Sequence, residues 1–317
     1  MPRGLLIDLN DGSPRMEITA GLRCPSFSGS NGDQIQTGGV VGVTKTPGST
    51  MVMLPVTTTY AYPDSISPIP SIGMMTGYAD NGNGTITQSW WHSNPRLAQR
   101  LTAGAANYVE ILAISQSGNR GLLISESTDF TFISSATQFM GCVWYGNFTV
   151  NGNTPLPASG IPFASWDSPD VSIAFDGTNL TSFLAHDGYG DAARPVTIRL
   201  AIFARVDPTP GRGLTFVNPD GKVTFSTTRK PLVFRNAFWN PASGAANASG
   251  NMVMICRTGF RNRNAGGWCN MKHKGIIFSG GVVSSASNNT KFSWTDQYPI
   301  IDERTINLNI PLIPAMY

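Results

Sequence analysis

Short runs of β-branched and aromatic residues, alternating with small polar ones and broken by turn clusters, recur along the chain. They predict strands over residues 40–44, 51–62, 85–91, 108–115, 121–124, 130–134 and 139–150. The pattern resumes at 171–175, 195–206, 213–217, 222–227, 231–238, 251–258, 274–283, 291–294 and 305–312. Helical spacing is confined to 94–106, where Pro95 suits a first turn and Leu97, Ala98, Leu101 and Ala105 share a face. That segment reads as a short helix or a loop.

Two stretches echo one another. Gly4-Leu5-Leu6-Ile7-Asp8-Leu9-Asn10-Asp11-Gly12 and Gly213-Leu214-Thr215-Phe216-Val217-Asn218-Pro219-Asp220-Gly221 each place an apolar strand before an Asp-Gly turn, and each is followed by a return strand. Met51-Val52-Met53 and Met252-Val253-Met254 repeat the likeness further on. The expectation is an all-β fold of two related β-sandwich-like domains with few short helices, 1–160 and 161–317, the second copy of the module starting near residue 212. Residues 151–165, rich in Pro, Gly and Ser, mark the expected boundary.

Composition agrees with a chain that turns often: 34 glycines and 22 prolines stand among 317 residues. The first residues lack the pattern of a secretory signal and no run of about 18 apolar residues could span a bilayer, so a product made in a cytosol is expected. Cys24, Cys142, Cys256 and Cys269 form no CxxC pair and are expected as buried free thiols; Cys256 and Cys269 flank a hairpin, which makes a bridge or shared metal between them the minor alternative. His92, His186 and His273 sit in no metal-ligand spacing, and neither a GxSxG elbow nor a phosphate-binding loop is present. No catalytic, cofactor or metal site is expected.

Charge is uneven. Residues 1–160 carry seven Lys/Arg and nine Asp/Glu, whereas 161–317 carry fifteen and ten. Between residues 221 and 295 there are ten cations and no carboxylate, and Arg257, Arg261, Arg263, Lys272 and Lys274 crowd around a glycine-rich turn beside Trp268. Such a hairpin suits an anionic partner, or forms a basic face paired with acids elsewhere in an assembly. Trp90 and Trp91 are adjacent in a strand and point to opposite faces, so one serves the core and the other is free for a sugar or a subunit. The terminal strand with Ile310 and Leu312 runs into an apolar tail ending at Tyr317, for which a neighbouring subunit is the expected cover.

The opening Met1-Pro2-Arg3-Gly4-Leu5-Leu6-Ile7 with its Asp11-Gly12 turn, and its return at Gly213-Leu214 with Asp220-Gly221, resemble a poorly characterised family of long-tailed (siphovirus-type) bacteriophage tail-tip and tail-fibre-associated virion proteins. The resemblance implies a β-rich structural protein, not an enzyme, made in the host bacterial cytoplasm and built into the virion. Implied partners are other virion proteins of the tail tip or central fibre and further copies of the chain, a trimer being favoured. A rival reading is recognition of bacterial surface polysaccharide during host attachment, through Trp90, Trp91 and the basic hairpin. An enzymatic rival places glycan cleavage on Asp167, Asp170, Asp187 and Asp191. A nucleic-acid role is disfavoured, because the net charge is only +3.

Overall fold

A computed structural model describes residues 4–8, 10, 15–19, 22–34, 38–63, 67–94, 102–111, 140–186, 188, 190–211, 213–217, 221, 223–265, 267–298 and 301–317. The expected strands at 121–124 and 130–134, and most of the helical candidate 94–106, lie outside these residues. The described part of that candidate is extended, and from Ala106 it is strand.

A hairpin of β1 (Gly4–Ile7) and β2 (Met16–Thr19) comes first. Seven strands follow: β3 (Ser26–Asn31), β4 (Val40–Gly42), β5 (Thr50–Pro55), β6 (Thr59–Tyr62), β7 (Ser71–Asp80), β8 (Thr85–His92) and β9 (Ala106–Ile111). They form two antiparallel sheets, ordered β3-β9-β5 and β4-β8-β7-β6. The sheets face each other across buried side chains: Gln88 Nε2 on β8 donates to the Tyr108 hydroxyl on β9 at 2.8 Å. A buried amide and phenol satisfy one another there instead of reaching water.

The same order then recurs. In the next segment β10 (Met140–Val150), β11 (Gly152–Pro155), β12 (Ile161–Ser165), β13 (Ser168–Phe175), β14 (Asn179–Leu184) and β15 (Val196–Arg205) pair as β10-β15-β12 and β11-β14-β13. After a second hairpin, β16 (Thr215–Val217) and β17 (Val223–Ser226), come β18 (Ala237–Trp239), β19 (Ala246–Asn247), β20 (Asn251–Met254), β21 (Gly259–Ala265), β22 (Trp268–Ser279), β23 (Val282–Thr295), β24 (Asp302–Thr305) and β25 (Ile310–Pro314). These pair as β18-β25-β20 and β19-β23-β22-β21, with β24 added beside β21. In each repeat the first, last and third strands make one sheet, and the second strand opens the other.

The all-β expectation therefore holds, but the module occurs three times where two copies were expected. The boundary expected at residue 160 falls inside the second repeat, because β10 and β11 before it pair with β15 and β14 after it. The Pro- and Gly-rich stretch 151–165 supplies β11 and β12 and is no linker. With three repeats in view, a third copy of the opening motif becomes visible in the sequence. Arg120-Gly121-Leu122-Leu123-Ile124 precedes the second repeat as Arg3-Gly4-Leu5-Leu6-Ile7 precedes the first and Arg212-Gly213-Leu214 the third. The two described hairpins meet: Met16 and Phe225 are buried together, with Ile7, Cys24, Leu214 and Phe216 packed around them. The methionine echo also has a structural meaning, since 51–53 lie in β5 and 252–254 in β20, equivalent strands of the first and third repeats.

The second and third repeats are fused edge to edge. β12 pairs antiparallel with β20, Phe163 opposite Met254 and Ala164 opposite Val253, which makes one six-stranded sheet. β13 pairs with β22 and makes one eight-stranded sheet. The joint needs Gly275: a Cβ there would stand 2.6 Å from the Ile173 carbonyl oxygen and 2.7 Å from Ser172 Oγ. At the far end of β22, Gly280 and Gly281 take φ of +55° and +77° in the two-residue turn to β23, the left-handed region a tight hairpin requires. Buried residues of all three repeats, from Val41 and Tyr108 through Phe163 and Phe203 to Trp239 and Leu312, belong to one continuous core. Among the described residues no helix is long and apolar enough to cross a membrane.

Gly275→Val is expected to cost about 3 kcal/mol, because strand β13 cannot retreat without opening the shared sheet. Urea denaturation measures it, and a loss below about 0.5 kcal/mol would mean that the two repeats are not tightly joined.

Candidate interaction surfaces

The basic hairpin is β21 and β22. Arg261 sits opposite Lys272, Arg263 opposite Asn270 and Gly259 opposite Lys274, so strand alternation puts the four cations on one face. That face is covered by the chain itself. β24 brings Glu303 opposite Arg261, and its carboxylate lies 2.8 Å from Lys274 Nζ, 3.2 Å from Arg263 Nη2 and 3.5 Å from Arg261 Nε. Lys274 also donates to Thr305 Oγ1 at 2.7 Å. The segment after β14 in the second repeat folds over the other end. Lys272 Nζ donates to the Gly190 carbonyl at 2.8 Å, and the Asp191 carboxylate lies 3.4 Å from it while accepting from the Thr290 N–H at 2.8 Å. Lys272 and Lys274 are left 3 % and 6 % exposed. Lys274 and the guanidinium groups hold the Glu303 carboxyl below its ordinary range, against the opposing effect of partial burial. The expectation of an exposed basic surface awaiting an acidic partner is corrected for these residues: local sequence contains no acid, but strand pairing imports one.

Arg257 is largely buried between the first and third repeats. Its carbonyl accepts from Thr58 Oγ1 at 2.6 Å, and burial lowers the guanidinium pKa from its usual value, with Asp176 opposing. Beside it, His273 is fully buried; its Nδ1 faces Thr59 Oγ1 at 3.2 Å, and its Nε2 has no hydrogen-bond partner among the described residues. Burial, then the nearby Arg257 and Lys291 charges, push its pKa well below the usual histidine value, which keeps the ring neutral.

The tryptophans divide as strand geometry requires, though neither is a free platform. Trp90 Nε1 donates to Gln88 Oε1 at 3.2 Å, within the first repeat. Trp91 stacks on Phe260 of the third repeat at 5.8 Å, and the Arg304 guanidinium lies 3.9 Å from its ring centre. It is a joint between repeats. The C-terminal tail is likewise covered from within, which corrects the expectation of a neighbouring subunit. Ile310 and Leu312 are buried in β25, an interior strand between β20 and β18. Tyr317 is 1 % exposed, packs edge-on to Phe203 and donates its hydroxyl to the Pro231 carbonyl at 2.6 Å.

Of the expected contact residues Trp268 is open, 47 % exposed at the tip of the basic hairpin, opposite Thr295 of β23. The carboxylates of the enzymatic reading lie in separate roles. Asp167 accepts from the Gly280 N–H at 2.9 Å, Asp170 from Ser168 Oγ at 3.1 Å, and Asp191 belongs to the Lys272 cover; Asp187 lies outside the described residues. All four cysteines are free, and among the described residues no three His, Cys, Asp or Glu side chains are grouped to hold a metal ion.

Two features escape sequence reasoning. One is the outer edge of β10: Gly141 and Cys142 are capped by Lys230 and Pro231, but from Val143 to Val150 that edge has no backbone partner among the described residues. The other is a cleft of about 370 Å³ between the first and third repeats, lined by Gly77, Tyr78, Asn240, Asn307, Leu308 and Asn309. The cleft arises where repeats meet and the edge from the place of β10 at the end of the six-stranded sheet, and no local motif encodes either.

A model of DUF6453, a family of unknown function, matches residues 4–296, and the chain belongs to that family. No curated protein and no solved structure matches it.

Glu303→Gln is expected to destabilise the protein by about 2 kcal/mol, since it leaves the nearly buried Lys274 without its carboxylate. Thermal or chemical denaturation checks this, and an unchanged midpoint would show that the cluster is held by solvent. A second expectation concerns pH. The unfolded chain protonates His273 near pH 6.5, while the folded chain holds the ring neutral, so stability falls as pH drops below about 6.5, by roughly 2 kcal/mol at pH 5. His273→Gln should flatten that slope, and denaturation curves at pH 7 and 5 that shift alike in both proteins would contradict the assignment.

Proposed function

We propose that this member of the DUF6453 family is a structural protein of a tailed-bacteriophage virion, part of the tail tip or associated with the tail fibre, and that it acts by subunit assembly. The observation that carries the reading is the outer edge of β10, which from Val143 to Val150 has no backbone partner among the described residues. This strand is 11 residues long, and beyond its first positions its outer N–H and C=O groups have no backbone partner among the described residues. A long unpaired edge is a template for strand addition, and a protein that must stay soluble alone usually blunts it. Tyr145 is exposed on this strand, with the Lys230 ammonium 5.5 Å from its ring centre.

The rest of the molecule suits that task. Three sandwiches share one core and present β10 at the rim of a six-stranded sheet. The resemblance of the opening motif to phage tail proteins supplies the setting: synthesis in the bacterial cytoplasm, assembly into the virion, contact with other tail proteins, and threefold self-association. Chemistry plays no part in this reading. The polypeptide contributes shape and edge.

Light scattering of the isolated protein should give a trimer, and mass spectrometry should find the chain in purified virions. Tyr145→Lys with Asn147→Lys should weaken association about tenfold while leaving folding stability within about 0.5 kcal/mol, since both positions are exposed. A monomer at every concentration, together with absence from virions, would refute the proposal.

A further inference from the structure

The geometry points to a second property, independent of assembly: the cleft between the first and third repeats binds a neutral saccharide. Its volume of about 370 Å³ falls within the range of small-ligand sites, about 300–1,000 Å³. Its walls come from separate repeats. Gly77 and Tyr78 belong to β7, just past an irregularity in its pairing with β8, where the register shifts between Met75 and Gly77. Such a bulge re-aims the side chains that follow it. Tyr78, opposite Gln88, is half-buried, its hydroxyl 3.4 Å from the Met53 N–H and 3.5 Å from the Met51 carbonyl.

The opposite wall carries three carboxamides, and the hydrogen bonds fix which way two of them point. The Ala242 N–H can only donate, so the Asn240 atom 3.0 Å away is its oxygen. The Asn240 amide nitrogen therefore faces Asn307 and donates to Asn307 Oδ1 at 2.7 Å. By the same logic the Asn307 NH₂ group is left to donate elsewhere. Asn309, two positions on and exposed like Asn307, has no side-chain hydrogen bond among the described residues, and Leu308 between them is buried.

Chemistry selects the ligand class. Among the described residues no lining side chain is a carboxylate, an ammonium or a guanidinium, so an ionic ligand would lose hydration without gaining a counter-charge from them. A carboxamide both donates and accepts, which matches the paired hydroxyls of a sugar ring, while the half-buried Tyr78 ring offers apolar surface to its C–H face. These are different residues from the tryptophans and the basic hairpin singled out by sequence.

Gly77 makes the inference testable without unfolding the protein. A Cβ there meets nothing within 4 Å, so Gly77→Trp places an indole at the cleft without displacing the chain. Saturation-transfer NMR with maltose, lactose and cellobiose as neutral probes, and glucuronic acid as the acidic one, should detect a neutral disaccharide and no preference for the acid. Gly77→Trp, at an unchanged melting temperature, should weaken that binding at least about tenfold, and Asn307→Ala with Asn309→Ala should do the same. Absence of binding by all three disaccharides, equal binding by Gly77→Trp, or preference for glucuronic acid would overturn the assignment. None of these results bears on light scattering or virion content, so the two proposals fail separately.

Discussion

Hydrogen bonding between strand edges of sister repeats is the constraint on which this molecule rests. A β-sandwich leaves the outer strands of its sheets with unpaired backbone groups, and those groups must find partners or water. Here the third strand of the second repeat finds the third strand of the third. Phe163 opposite Met254 and Ala164 opposite Val253 turn two small sheets into one of six strands, and β13 against β22 does the same on the other layer. The Gly275 backbone fits against Ile173 only because no side chain intervenes. Fusing repeats this way also enlarges the shared core, which a single short module could not have built alone.

The electrostatics follow from that joint. Once β13 and β14 lie alongside β22, the segment after β14 reaches Lys272 and supplies Asp191, while β24 supplies Glu303 to the other three cations. Charges that are separated along the chain are recombined in space. The basic hairpin is thus a fastening between repeats, with Trp268 left at its open tip. The first repeat docks on this pair through Thr58, Thr59 and Trp91, and the neutral His273 lies within that contact. A protonated ring there would meet the Arg257 and Lys291 charges, with no offsetting carboxylate among the described residues, which couples the joint to pH.

Strand content was legible because alternation is local, and the module echo was legible where the hairpin motif and the methionine triplet survive. The third copy was not. The middle copy of the opening motif has no Asp-Gly after Ile124, and the middle repeat has one strand fewer than the first and builds β11 and β12 from residues whose prolines and glycines read as a linker. Pro162 lies within β12 and keeps its carbonyl in the ladder, accepting from the Ile255 N–H at 2.9 Å. β3 was hidden in Ser26-Phe27-Ser28-Gly29-Ser30-Asn31, which has turn composition and is a strand through its pairing with β9. Site residues were harder for the same reason. Alternation separated Trp90 from Trp91 and the glycine-rich turn gathered the cations into one hairpin, but strand register puts four of them on one face and burial of that face depends on strands and loops from elsewhere in the chain.

Among the described residues, an internally triplicated sandwich with its own repeats as mutual partners turns outward the β10 edge, the Trp268 tip and the polar cleft beside Tyr78. Each depends on the repeats behaving as one body. Hydrogen exchange followed by mass spectrometry in increasing urea tests that most directly. Peptides covering β12 and β20 should open together, with the free energy of global unfolding. Exchange of β12 at a free energy well below that of β20 would show that the sister edges are not locked, and would contradict the account.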